Sequence, residues 1–403
     1  MRFVALFLPA LLAIAACGLA PQPAEGLSLD FIGEATLPPD LTLDGTRVGG
    51  LSALAFDSRD NLLYALSDDF GRTRESAENT ARLYRLELML DDGFLDVVPA
   101  SVVRFKKDGA PMEPGSMDAE AFVILPNGNY LISSERDVRN VRRHHRGWEV
   151  PPSMQRIFEF DSEGDLIREY SMPDRFNPPD WSETRGIRVN KGIEGMAIAD
   201  RDGDRFATIT EQPLMQDVRA GSSFCRFTIF ERRAGKLVSL EEYAYQLDPL
   251  PGALPFSAVI RDSGVSEILA IGERRYLAVE RSYLSDGKDQ HRTIVKIYEF
   301  SLGGDATEVS AQDTLSGEIN PLAKRLVLDL DELIPWLDPP PPGATHVLDN
   351  IEGMTLGPAL NGQPTLILVS DDNFSDAQRT LFLAFSVGGL PAAPGPGADG
   401  EAG

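Results

Sequence analysis

Ile193-Glu194-Gly195-Met196 returns almost residue for residue as Ile351-Glu352-Gly353-Met354, and each copy is followed by a second apolar run that ends in an acid. In the first copy that run is Phe206 to Thr210, then Glu211; in the second it is Leu366 to Ser370, then Asp371 and Asp372. Three looser copies share the plan. They are Gly50-Leu51-Ser52-Ala53-Leu54 with Leu62 to Leu66, Ser67, Asp68 and Asp69; Ala119-Glu120-Ala121-Phe122 with Tyr130-Leu131-Ile132 and Glu135; and Val265-Ser266-Glu267-Ile268-Leu269 with Tyr276 to Val279 and Glu280. Self-similarity at a period of this size is the signature of a repeat architecture.

With Ser52, Glu120, Glu194, Glu267 and Glu352 as markers, the spacings are 68, 74, 73 and 85 residues. Each interval has room for two further strands, such as Leu83 to Leu88 and Val97 to Phe105 after the first pair. The last copy has only Leu381 to Val387 before a Gly/Pro/Ala-rich tail, while a strand-like stretch, Leu27 to Leu37, stands unclaimed near the start. That segment would complete the last unit and remove the open edges of the sheets. Asn127-Gly128, Glu163-Gly164, Asp202-Gly203 and Asn361-Gly362 fall between paired apolar runs, where turns need positive φ. The expected fold is an all-β propeller of five four-stranded blades, six being the nearest alternative, closed by the N-terminal strand and covering 27–387. A β-sandwich or a pair of barrels gives no such fixed period.

In a propeller blade the first strand lines the axis and the second runs antiparallel beside it, so the start of one neighbours the end of the other. Glu120 then pairs with Glu135, Glu194 with Glu211, Glu267 with Glu280, Glu352 with Asp371 or Asp372, and Ser52 with Asp68 or Asp69, all on one rim. Two unit charges about 8 Å apart at an effective dielectric near 20 repel by roughly 2 kcal/mol. Such a cluster either keeps protons or holds a cation. All-oxygen ligands favour Ca²⁺ before Mg²⁺, so Glu194, Glu352, Asp371, Glu267, Glu135 and Glu280 are candidate ligands, with Glu120 or Glu211 left to activate water. The bland alternative is that these acids form ion pairs or accept backbone N–H groups. Arg136, Arg281, Arg188 and Lys191 lie where they would steady an anionic group, or else are solvated surface charges. Asp200-x-Asp202-Gly203-Asp204 reads as a hairpin turn rather than a calcium loop, and Arg142 to Arg146 as an exposed insertion.

The chain has 403 residues and a formal charge of −24. So acidic a surface repels phosphate backbones and anionic lipid, which argues against nucleic-acid binding. Met1-Arg2 and the apolar run Phe3 to Ala16 are too short to span a bilayer, which takes roughly 20 residues, and read as an export signal. The run ends Ile14-Ala15-Ala16-Cys17, as in a bacterial lipobox, making Cys17 a lipidation candidate; an ordinary signal cut at small residues is the alternative. Residues 1–17 would be the signal, 18–26 a tether and 388–403 a disordered tail, with the protein a monomer in the bacterial envelope or periplasm. Membrane contact would then come only through the lipid. Cys225, in an alternating strand, is expected to be a buried inert thiol. No H-E-x-x-H or G-x-S-x-G stretch occurs.

The chain resembles the bacterial phytase-like domain family, "esterase-like activity of phytase". The resemblance rests on Asp118-Ala119-Glu120-Ala121-Phe122, Gly192-Ile193-Glu194-Gly195-Met196, Asn350-Ile351-Glu352-Gly353-Met354 and Ser370-Asp371-Asp372-Asn373, and runs from about Gly49 to Phe385. It implies hydrolysis of phosphoric or other esters on a calcium-dependent propeller, with a small anionic or ester substrate. The calcium-dependent propeller phytases have six blades, against five units here, and only the rim acids carry over, as metal ligands. The alternative is a non-catalytic envelope lipoprotein propeller serving as a binding or scaffold module; a lactone-opening propeller is a close variant of the hydrolase.

Overall fold

The computed structural model describes residues 26–70, 80–135, 154–177, 184–250, 256–288, 290–340, 342 and 346–390, with the backbone of 142–144 and 147–150. The expected signal, Cys17, the tether, Arg136 and all but the first residues of the expected tail lie outside it.

The apolar runs named above fold into antiparallel four-stranded units. The first unit runs Leu51–Asp57, Leu62–Ser67, Arg82–Asp91, Phe94–Arg104, and the second runs Ala119–Ile124, Tyr130–Ser134, Arg156–Phe160, Leu166–Ser171. The third is Ile193–Ile198, Arg205–Thr210, Phe224–Arg233, Lys236–Gln246, joined to the outer edge of the second by one parallel pairing, Ser171 with Lys236. The fourth is Ile260–Gly272, Arg275–Ser285, His291–Ser301, Lys324–Asp329. The last three strands, Asn350–Leu360, Gln363–Asp371 and Leu381–Gly388, gain their fourth from the chain's beginning: Ser28–Thr36 pairs antiparallel with Leu381–Gly388, Ser28 opposite Gly388. This all-β, propeller-like arrangement bears out the closing role expected of the N-terminal strand.

The inner strands touch in cyclic order, each meeting the next and the fifth meeting both the fourth and the first. Five apolar clusters fill the spaces between neighbouring units. One packs Leu66, Leu83 and Val103 of the first unit on Phe122, Tyr130 and Phe160 of the second. Another packs Ile367, Val369 and Phe382 of the fifth on Leu54, Leu63 and Leu86 of the first. Burial of apolar surface at about 25 cal/mol per Å² is the main force holding unit to unit.

The glycine of Ile193-Glu194-Gly195-Met196 has a packing reason. A Cβ on Gly195 would stand 2.6 Å from the Ile268 backbone nitrogen and 2.9 Å from the Glu267 carbonyl carbon on the next inner strand. A Cβ on Gly353 would first meet the Val369 side chain at 2.7 Å and the Leu54 side chain at 2.9 Å, with the Ala53 carbonyl carbon at 3.1 Å. The turns behave as read: Gly128, Gly164, Gly203 and Gly362 all take positive φ. Asp200 to Asp204 forms a hairpin turn, with the Arg205 N–H donating to Asp200 at 3.1 Å. Cys225 is fully buried, and burial pushes its thiol far above the ordinary range.

Candidate functional site

Every inner strand carries an irregularity at its marker. Pairing jumps from Leu51 to Ala53, Ala119 to Phe122, Ile193 to Gly195, Val265 to Glu267 and Ile351 to Gly353. The skipped residues include Ser52, Glu120, Glu194, Ser266 and Glu352. A bulged residue is released from the ladder and re-aimed. Where it is serine it bonds the next inner strand: Ser52 donates to Ala119 O at 3.3 Å, and Ser266 to Ile351 O at 2.9 Å. Where it is glutamate it delivers a carboxylate toward the axis.

The second strands supply a matching ring. Asp68, Glu135 and Glu211 donate their backbone N–H to the residue before each inner strand, Gly50, Asp118 and Gly192, at 2.7–2.8 Å. The register places Arg281 and Asp371 in the same role, opposite Gly264 and Asn350. The fourth unit is therefore offset by one residue from the expected alignment. Ser266 is the counterpart of Glu194, and Arg281, not Glu280, is the counterpart of Glu211. One residue of offset turns a strand side chain to the opposite face. Glu280 accordingly points away from the axis and is held by Tyr245 Oη at 2.8 Å, the Asp248 N–H at 2.9 Å and Lys324. Glu267, in the place of Gly195, accepts the N–H groups of Ile268 at 2.8 Å and Met196 at 3.3 Å. The structure thus does not bring Glu267 and Glu280 to the cavity, for a register reason that the run Ser266-Glu267 hides.

A cavity of about 530 Å³ opens at this end of the ring, lined by Glu120, Glu194, Glu211, Glu352 and Asp371 together with Asp68, Lys191 and Arg281. A larger hollow of about 690 Å³ lies at the outer edge of the fourth unit, where Glu299 is already paired with Arg275 and Arg325. The smaller cavity is the candidate site, because the converging titratable groups are there. Glu135, Glu194 and Glu211 offer oxygens within 4.8 Å of one another, as do Asp118, Glu120 and Glu135. Glu135 also accepts the Gly192 N–H, while Lys191 Nζ reaches Glu211 at 3.0 Å and Asp262 at 2.6 Å. Arg281 Nη2 lies 3.2 Å from Glu211 and 3.9 Å from Glu352. Arg188 turns instead to Gln212.

Burial and mutual repulsion push these carboxyls upward. Glu120 and Glu194 rise well above the ordinary range, burial leading, followed by repulsion from Glu194 on the first and from Glu135 on the second. Glu135 is raised to about 8 by burial and then by Glu211. Glu352 also reaches about 8, burial outweighing the attraction of Arg281. Glu211 is raised less freely, because Arg281 and Lys191 pull against its burial. The donor set is all oxygen, buried and short of positive charge, which suits a hard divalent cation.

Asp68, expected at the rim opposite Ser52, also lines the cavity, as do Asp262, Asp349, Tyr283 and His291, which sequence reading missed. Asp68 was legible as the first unit's terminal acid. The others come from strands that overshoot the ring and from the approach to the fifth inner strand.

Comparison with known proteins supplies a family. No curated protein matches the sequence. Among solved structures, the Pseudomonas aeruginosa periplasmic gluconolactonase PpgL shares 12% identity over 75% of this chain and 99% of its own, with a TM-score of 0.30. A putative gluconolactonase shares 10% over 90% and 100%, TM-score 0.30, and the N-terminal domain of Nup159 10% over 91% and 97%, TM-score 0.29. Scores this low carry no argument about activity. The family model described as "Phytase-like: Esterase-like activity of phytase" matches residues 46–374, a span that holds all five inner strands and both carboxylate rings. The chain belongs to the phytase-like family.

Proposed function

We propose that this protein is an exported, divalent-cation-dependent hydrolase of phosphoric or other esters, acting at the channel mouth of a five-bladed β-propeller. The carrying observation is the buried group Glu135, Glu194 and Glu211, whose oxygens converge within 4.8 Å. These residues, with Glu352 and Asp371 across the cavity, would hold the ion, calcium being the one their chemistry favours. When bound, the ion polarises the ester oxygen and acidifies water. Glu120 is partly exposed to the cavity, so it accepts the proton of the attacking water. Arg281 and Lys191, which stand beside Glu211, orient the oxygen on which negative charge develops.

Export and anchoring are supported by the run Phe3 to Ala16 and by Cys17; labelling with palmitate, lost in Cys17→Ala, tests them. The hydrolase reading is tested by screening phosphate esters, carboxylic esters and lactones with and without chelator. Turnover should require the ion and fall at least about a hundredfold in Glu194→Gln. Turnover surviving both treatments would refute it. The ion pairs that Lys191 and Arg281 already make with Glu211 favour a second reading, a non-catalytic envelope binding module. In that case calcium raises the melting temperature and no ester is turned over.

A further inference from the structure

Three strands of the fourth unit overshoot the ring. Val265 opposite Glu280 marks the ring level, yet pairing continues outward to Ile260 opposite Ser285, and Ser285 is in turn paired with His291. The overhang forms one wall of the cavity, presenting Asp262, Arg281, Tyr283, His291 and Thr293. Arg281 and Tyr283 are two apart on one strand, so they share a face. Tyr283 is 36% exposed, and its ring lies 5.9 Å from that of His291 between centroids. His291 in turn packs on His346 at 3.9 Å, and His346 Nε2 lies 3.1 Å from His291 O, which fixes the platform from behind.

The rest of the lining is polar. Eight carboxylates face two cations, Lys191 and Arg281, with Asn190, Asn373 and Gln378 among the amides. A polyanion entering such a mouth meets like charge. Carboxylates and amide oxygens instead accept hydrogen bonds from hydroxyl groups, and an exposed phenol ring attracts the slightly positive C–H face of a saturated ring. We propose that the cavity takes a neutral, polyhydroxylated ring, a sugar or sugar ester, laid on Tyr283, and not a polyphosphate. This rests on the hydrolase reading for the cavity's being the reacting site, and narrows its esters to those of sugar-like alcohols or acids.

The test measures binding, not turnover. Titration of calcium-loaded full-length protein, freed of excess ion, with methyl β-D-glucopyranoside, followed by calorimetry and saturation-transfer NMR, should show saturable binding. Tyr283→Ala should weaken it roughly tenfold and Tyr283→Phe by no more than about threefold, with melting temperatures unchanged because the side chain is exposed. myo-Inositol hexakisphosphate should bind more weakly than the glucoside under the same conditions. Equal binding by Tyr283→Ala, absence of glucoside binding, or tighter binding of the hexakisphosphate would overturn the proposal. Binding without turnover of any ester would count against the hydrolase reading alone.

Discussion

Arg281 of the fourth unit occupies the place that Glu211 holds in the third, and the two meet across the cavity with Nη2 3.2 Å from Oε1. One cation has replaced one acid in a ring otherwise made of Asp68, Glu135, Glu211 and Asp371. Without it, buried Glu211 would keep Lys191 as a cation, and buried Glu352 would keep only the hydrogen bond from the Asn350 amide. Arg281→Met should therefore destabilise the calcium-free protein by about 3 kcal/mol, the usual cost of stranding one member of a buried pair. Calcium should restore part of that loss. Urea denaturation with and without the ion measures both.

The raised carboxyls set a pH dependence whose sign can be worked out. Glu135 and Glu352 titrate near 8 in the folded protein against an ordinary value of 4.5. Between those limits the unfolded chain has lost protons that the folded chain keeps, so stability falls as pH rises. In chelator the urea midpoint should drop steadily from pH 5 to pH 8, and Glu352→Gln should flatten the slope. Saturating calcium should remove most of the slope, because the ion holds these groups deprotonated in the folded protein as they already are in the unfolded chain. A midpoint independent of pH in chelator would show that these groups are not buried as described.

Gly195 tests the packing of the ring itself. A methyl group there meets backbone atoms of the next inner strand at 2.6 and 2.9 Å, and strands cannot move aside as a flexible side chain can. Gly195→Ala should cost about 1–3 kcal/mol, and Gly353→Ala, which first meets the Val369 and Leu54 side chains, should cost less. Thermal unfolding of either variant checks this; an unchanged midpoint would mean that the inner strands are farther apart.

Ser266→Ala separates the corrected register from the expected one. The hydroxyl bonds Ile351 O at 2.9 Å while Glu267 is spent on two backbone N–H groups. Loss of the serine bond should cost about 1 kcal/mol and leave calcium affinity unchanged. Glu267→Gln should also leave calcium affinity unchanged, because its carboxylate does not line the cavity.

Much of this was legible in the chain. Ile193-Glu194-Gly195-Met196 and its copy announced the period, and terminal acids such as Glu211 and Asp371 announced the rim. What failed was single-residue register. In the fourth unit an acid stands one place after the true marker, at Glu267, and another one place before the true rim residue, at Glu280. A strand alternates faces with period two, so choosing residues by charge selected the wrong face twice. Matching Val265 to Ile193 and Ser266 to Ser52, by apolar position and not by charge, would have found Arg281 in the ring. Lys191, expected at the rim from its place just before Glu194, does line the cavity, whereas Tyr283 and His291 were beyond such reading, because only the overhang of three paired strands brings them there.

The most direct test of the central claim is calorimetric titration of calcium into wild-type protein and Glu194→Gln at pH 9, above the value of about 8 that Glu135 and Glu352 reach, so that fewer protons compete with the ion. Saturable binding by the wild type, weakened at least about tenfold by Glu194→Gln, is the predicted result. No binding, or equal binding by both proteins, would contradict a cation site at Glu135, Glu194 and Glu211.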